Sequence, residues 1–215
     1  MFRILAILIG TFSGILIVFF MLALFQLLFE KNKVTVGHKL GTYIYTFFVV
    51  AILVATGVPS FDSIHVDVTI SYVPFHNIIG NFIQYLLNLI LFAPFGFLLP
   101  MLWSKYQTSK RTIFAGFVFS LLIEISQLFC YRTTDIDDLI MNTLGTALGF
   151  MLFTILSKKK PGLIKKVCLM EDISHDRIIK LEEYIIFGMI ILVMFFIQPL
   201  IANKIWSIVL RRLKV

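Results

Sequence analysis

Residues 81–103 read NFIQYLLNLILFAPFGFLLPMLW, an unbroken run without a single charged side chain. A helix rises 1.5 Å per residue, so this stretch reaches roughly 34 Å, enough to cross the ~30 Å hydrocarbon core of a bilayer. Working outward, five further apolar runs have comparable reach: Ile4–Phe29, Leu40–Val58, Arg111–Cys130, Asp138–Ser157 and Tyr184–Ala202. Barrel strands would need short alternating segments. The sequence therefore predicts an all-α fold, a polytopic membrane helix bundle with about six transmembrane helices.

Composition agrees. The 215 residues are 59% hydrophobic and 14% charged, with a mean hydropathy of +0.95. Soluble domains carry about 25% charged residues, so a water-soluble enzyme, a coiled coil and a disordered chain are excluded. The net charge of +7 does not signal nucleic acid, because the basic residues sit between spans and not along one exposed element. Ile4–Phe29 is too long for a signal-peptide core and lacks a small-residue cleavage pattern, so it is expected as a retained span. Cys130 and Cys168 show no metal-ligand spacing and are expected on opposite sides of the membrane. The chain divides into an N-terminal hairpin with its external loop (1–69), a core of three spans (70–157), and a loop, last span and basic tail (158–215). The polar segment Pro59–Gly80 cannot span. Alternation at Val66, Val68 and Ile70 suits a short strand or an extended surface loop.

Sidedness follows from Lys and Arg. Loops 30–39, 104–111 and 158–183 hold thirteen basic residues, against Arg132 alone in loops 59–80 and 131–137. The rich loops are expected in the cytoplasm and both termini outside. Lys204, Arg211, Arg212 and Lys214 in the tail pull the other way. The mixed stretch Glu171–Glu183 suits either a helix on the inner surface or a solvated continuation of the last span.

Polar groups inside spans are costly unless paired or hydrated, which makes them functional candidates. Glu124 shares a helix face with Gly116, Ser120 and Gln127. The following segment offers Arg132, Asp135, Asp137 and Asp138, and Asn142 lies one turn beyond Asp138. Gly145 and Gly149 extend that face as a small-residue surface for close helix contact. Capping of the next helix accounts for one carboxylate. Asp135, Asp137 and Asp138 together could hold a divalent cation, and Arg132 suits a phosphate or carboxylate. Asn88 is buried within its span, and Pro94 removes a backbone donor below it, where a kink is expected. Gly10 and Gly14 look like another close-packing pair. By helical rise, Asn88, Glu124 and Asn142 lie roughly 10, 9 and 6 Å below the outer ends of their spans. Three helices thus place a polar group at similar depth, as a pocket open to the outer leaflet would, with His76 and Asn77 approaching from the preceding loop.

The blocks Asn88-x-x-x-Phe92-x-Pro94-Phe95-Gly96, Glu124-x-x-Gln127 and Arg132-x-x-Asp135-x-Asp137-Asp138-x-x-x-Asn142-x-x-Gly145-x-x-x-Gly149 resemble the VanZ-like family of bacterial membrane proteins over roughly residues 70–155. The resemblance implies a multi-pass protein of the bacterial cell membrane, typical of Gram-positive organisms, in a family whose founding member confers low-level teicoplanin resistance. It implies importance for Asn88, Glu124, Gln127, Arg132, Asp135, Asp137, Asp138 and Asn142 without assigning their roles.

Three functions fit. The first is resistance-related binding or remodelling of an envelope lipid, a lipid-linked cell-envelope precursor or a lipoglycopeptide. The second is an intramembrane enzyme on a phospholipid or polyprenyl phosphate. There Glu124 is the base, Asp135, Asp137 and Asp138 are catalytic partners, and Asn88, Gln127, Arg132 and Asn142 bind substrate. The third is a small transporter.

Overall fold

The computed structural model describes residues 2–30, 34–57, 70–71, 74–75, 78–129, 134–169 and 177–213. The first helix, α1 (Phe2–Phe25), runs on through a π-helical turn at Gln26–Glu30. Next come α2 (Val36–Thr56), α3 (Ile78–Leu102), α4 (Ser109–Gln127) and α5 (Ile136–Lys159). The short helices α6 (Pro161–Val167) and α7 (Arg177–Lys180) precede α8 (Glu182–Leu192). A second π-helical turn, Val193–Ile197, joins α8 to α9 (Gln198–Leu213). Among the described residues five helical segments are long and apolar enough to cross a membrane: Thr11–Glu30, Val36–Thr56, Gly80–Leu102, Ile136–Lys159 and Glu182–Ile201. The sixth expected span, α4, is a 19-residue helix that carries Lys110, Arg111 and Glu124 and lies outside that set. Pro94 and Pro100 both lie inside α3, which stays helical through them.

The cores of α3 and α5 are joined backbone to backbone. A Cβ on Gly145 would strike the Leu89 carbonyl, one on Gly149 the Ala93 carbonyl, and one on Gly96 the Thr146 carbonyl. Glycine is the residue that permits such an approach, which makes the small-residue stripe of α5 a helix-contact surface. Residue numbers rise together along both helices, so α3 and α5 run parallel. Helix α4 runs the other way beside them: Gly116 faces Thr146 and Ser120 faces Asn142. Gly14 of α1 packs on Met194 and Gln198, so the last span closes against the first. The main apolar core draws on α1, α2, α3, α4 and α8, with Val18, Val49, Phe92, Phe119 and Ile190 buried together, while Phe153 of α5 is buried in a separate cluster with Ile164 and Cys168.

The connections sort to two ends. At one, the Thr35 hydroxyl donates to the Lys166 carbonyl, Trp103 pairs with Leu169, and Lys105 forms an ion pair with Glu183. At the other, two-residue strands β1 (Ile70–Ser71) and β2 (Thr134–Asp135) pair in parallel, and Gln127 reaches the end of α2. Basic-rich connections therefore share one end and basic-poor connections the other. Of the alternating residues read as a short strand or an extended surface loop, Ile70 lies in the two-residue β1; Val66 and Val68 lie outside the described residues. Neither option weighed for Glu171–Glu183 holds for its last two residues. Residues 171–176 lie outside the described set, α7 is four residues long, and Glu182 and Glu183 open the final span as buried side chains.

Candidate functional site

The parallel contact of α3 with α5 sets Gln84 and Asn88 opposite the first turn of α5. The Asn88 amide donates to Asp138 Oδ1 at 2.6 Å, and the Gln84 amide donates to the same oxygen at 3.1 Å. From the end of α4, Gln127 donates to the Thr56 carbonyl at 2.8 Å. These residues surround a cavity of about 560 Å³, whose apolar wall includes Ala55, Ile83, Leu87 and Leu91. Its polar groups are one carboxylate and several amides, each amide offering both donors and an acceptor. A polar patch facing an apolar wall suits an amphipathic ligand.

Of the eight candidate positions, Asn88, Gln127 and Asp138 line this cavity. Four others are turned to partners beside it. Buried Glu124 accepts the Asp135 backbone N–H at 3.0 Å, fixing β2 over the end of α4. Asp135 caps α5, accepting the Asp137 N–H at 3.0 Å. Asp137 accepts the Tyr85 hydroxyl at 2.6 Å and the Phe75 N–H at 2.9 Å. Phe75 has φ of 56°, a left-handed conformation that a bulky residue adopts at a cost, so Asp137 braces a strained turn. Asn142 donates to the Ser120 hydroxyl at 3.0 Å within the α4–α5 contact, and its side-chain Oδ1 is buried without a hydrogen-bond partner. Arg132, His76, Asn77 and Cys130 lie outside the described residues.

The three aspartates separate for a geometric reason. Asp135 precedes the helix, while Asp137 and Asp138 are successive helical positions about 100° apart around the axis, and so meet different neighbours. Among the described residues no group of three or more His, Cys, Asp or Glu is placed to hold a metal ion.

Some of the polar architecture has no counterpart in the sequence reading. Tyr85 joins Asp137 from α3. At the basic end, His38 is buried with Nδ1 2.8 Å from the Val167 carbonyl and Nε2 2.9 Å from Glu182 Oε2. A carbonyl only accepts, so Nδ1 carries a proton. The Trp103 indole donates to the same Glu182 oxygen at 3.2 Å, and Glu30, also fully buried, completes the cluster from the π-helical turn. A signal existed: His38 falls on the helical stripe of Gly41, Thr42 and Tyr45, and Glu182 borders a long apolar run. Beyond this cluster, Cys168 is a buried free thiol whose pKa burial pushes up to about 11.

Fold and site together define a helical membrane protein with a polar cavity at the basic-poor end of its bundle. A family profile described as VanZ/LLP1 matches residues 17–157, and the chain belongs to that family. The match reaches further towards the N-terminus than the motif blocks and takes in α2 and the last third or so of α1. The chain is also 39% identical over 80 residues to Protein VanZ of Enterococcus faecium, across 37% of this chain and 49% of that protein. The matched segment thus spans about half the length of that relative. No solved structure matches.

Proposed function

We propose that this protein supports tolerance of teicoplanin-type glycopeptides by binding an envelope lipid, a lipid-linked precursor or the lipoglycopeptide itself in the cavity around Asp138. Membership of the VanZ/LLP1 family supports the resistance-related role. The bias of Lys and Arg towards the opposite end supports an orientation in which the cavity meets the outer leaflet. The observation that carries the reading is the cavity itself: the Asp138 carboxylate and its Asn88 and Gln84 amides face an apolar wall. That combination can accept hydrogen bonds from hydroxyl, amide or ammonium groups of a ligand while an alkyl chain lies along Leu87 and Leu91.

The geometry favours binding over general-base chemistry. Glu124, which an enzymatic reading needs as the base, is buried and receives the Asp135 backbone N–H. The test compares teicoplanin tolerance of a deletion strain complemented with the natural chain, Asp138→Ala or Gln84→Ala. Tolerance is expected to fall to the empty-vector level with Asp138→Ala and part of the way with Gln84→Ala. Full tolerance with Asp138→Ala, at equal abundance in the membrane, would reject the site.

A further inference from the structure

A second cavity, of about 650 Å³, opens at the basic end, remote from Asp138. One wall is a single stripe of α4 in which Arg111, Ala115, Val118 and Leu122 recur at helical spacing. The facing wall is the first turns of α8, with Glu183, Tyr184 and Phe187, and the floor is the buried core. Phe119 and Phe187 meet edge to face at 5.3 Å between centroids, which brings the two walls together over the core. The mouth faces sideways from the bundle: Phe114 is 65% exposed and Leu122 52% exposed. In a membrane this opening looks into lipid.

Length and charge identify the occupant. Arg111 and Leu122 are eleven residues apart, roughly 16 Å of helix. That is about half of the ~30 Å hydrocarbon thickness, the depth of one leaflet. All the charge sits at one end. Lys105 pairs with Glu183 and lies 4.4 Å from the centroid of the Tyr184 ring. Arg111 gives one N–H to the Lys105 carbonyl at 3.0 Å and is otherwise exposed at the rim. A guanidinium carries five N–H donors in a planar fork that matches phosphate oxygens. Two cations and one carboxylate leave the rim with a single net positive charge, which suits a singly charged phosphodiester.

We propose that this groove is a binding site for one anionic phospholipid of the leaflet at the basic end, its acyl chain laid along Ala115, Val118 and Leu122 and its phosphodiester held by Arg111 beside Lys105. The site is independent of the Asp138 cavity and stands or falls separately from the resistance reading.

The test reconstitutes the full chain into bilayers of equal phosphatidylglycerol and phosphatidylcholine, extracts it into detergent, and counts retained lipid by native mass spectrometry. One phosphatidylglycerol per chain is expected, preferred about tenfold over phosphatidylcholine, or about 1.4 kcal/mol. Arg111→Gln removes the headgroup preference and Arg111→Lys keeps part of it. Val118→Trp, which fills the groove, abolishes retention of both lipids. Size-exclusion profiles confirm that each variant is folded. Equal retention of the two lipids by the natural chain overturns the proposal. So does retention unaffected by both Arg111→Gln and Val118→Trp, displacement of the lipid by inorganic phosphate alone, or a dimer that Val118→Trp disrupts with no lipid bound.

Discussion

The Asn88 amide donates to Asp138 Oδ1 at 2.6 Å, a short bond between α3 and α5 at the one level where both helices present polar groups to the same cavity. A hydrogen bond to a charged group contributes about 1.5–3 kcal/mol, and a donor removed from a half-buried carboxylate is costly because water cannot fully replace it. Asn88→Ala should therefore lower thermal stability in detergent by an amount in that range. Asn88→Asp should be worse, since two carboxylates would then face each other. The exchange Asn88→Asp with Asp138→Asn restores one donor opposite one acceptor and should recover most of the loss. Additive losses in the double variant would show that the pair does not couple α3 to α5.

Helix contact below this pair is set by glycine. At Gly149 a side chain would meet the Ala93 carbonyl and the Phe97 backbone nitrogen, and neither can move without shifting α3. Gly149→Val should reduce the yield of monodisperse protein sharply, because overpacking of a tight contact costs about 1–3 kcal/mol even where the backbone can yield. Gly162→Ala, where a Cβ meets nothing within 4 Å, is the matched control and should behave as the natural chain. Thermal melting of both variants, followed by light scattering, makes the comparison.

Much of this architecture was legible from periodicity. The run Asn81–Trp103 corresponds to α3 at Ile78–Leu102, and Asp138–Ser157 to α5 at Ile136–Lys159. The Gly145 and Gly149 stripe also announced a close contact, because small residues repeating at helical spacing leave little else to pack. The partners of the carboxylates were not legible. Asp137 and Asp138 differ by one position yet meet Tyr85 and Asn88 respectively, and only the placement of α3 decides which. The clearest omission is Glu182. In a charged stretch it reads as solvated, but it is fully buried because a histidine 144 residues away supplies its partner. No local pattern encodes a pairing of that range.

That pairing yields its own expectation. Glu182 pairs with His38 Nε2 and accepts from the Trp103 indole, so Glu182→Ala leaves two buried polar groups without their partner. Removing one partner of a buried ionic contact costs about 3–5 kcal/mol, and the folded population should fall accordingly. Glu182→Gln keeps an acceptor for Trp103 and should be the milder change. Trp103 reports directly: in a Trp206→Phe background, its emission should shift in Glu182→Ala and move less in Glu182→Gln. Identical emission and melting in all three proteins would place the stability of this end elsewhere.

Cys168 gives a pH-dependent test of the connection that carries it. Burial holds the thiol at about 11, against an ordinary value of 9.0, and the Gln107 amide donates to Sγ at 3.3 Å. The thiolate is the reactive form, so near neutral pH its population should be about a hundredfold below that of an unhindered thiol. In a Cys130→Ser background, maleimide labelling of the folded protein should be correspondingly slow. Its rate should rise about tenfold for each step of one in pH through the range where the denatured chain has already levelled off. The sign for stability follows from the same shift. The folded state keeps its proton more tightly than the unfolded chain, so the contribution of this group is fully present below the ordinary thiol value and declines as pH rises above it. Labelling of the folded protein as fast as that of the denatured chain at pH 7.5 would mean that the segment around Cys168 does not pack against Gln107.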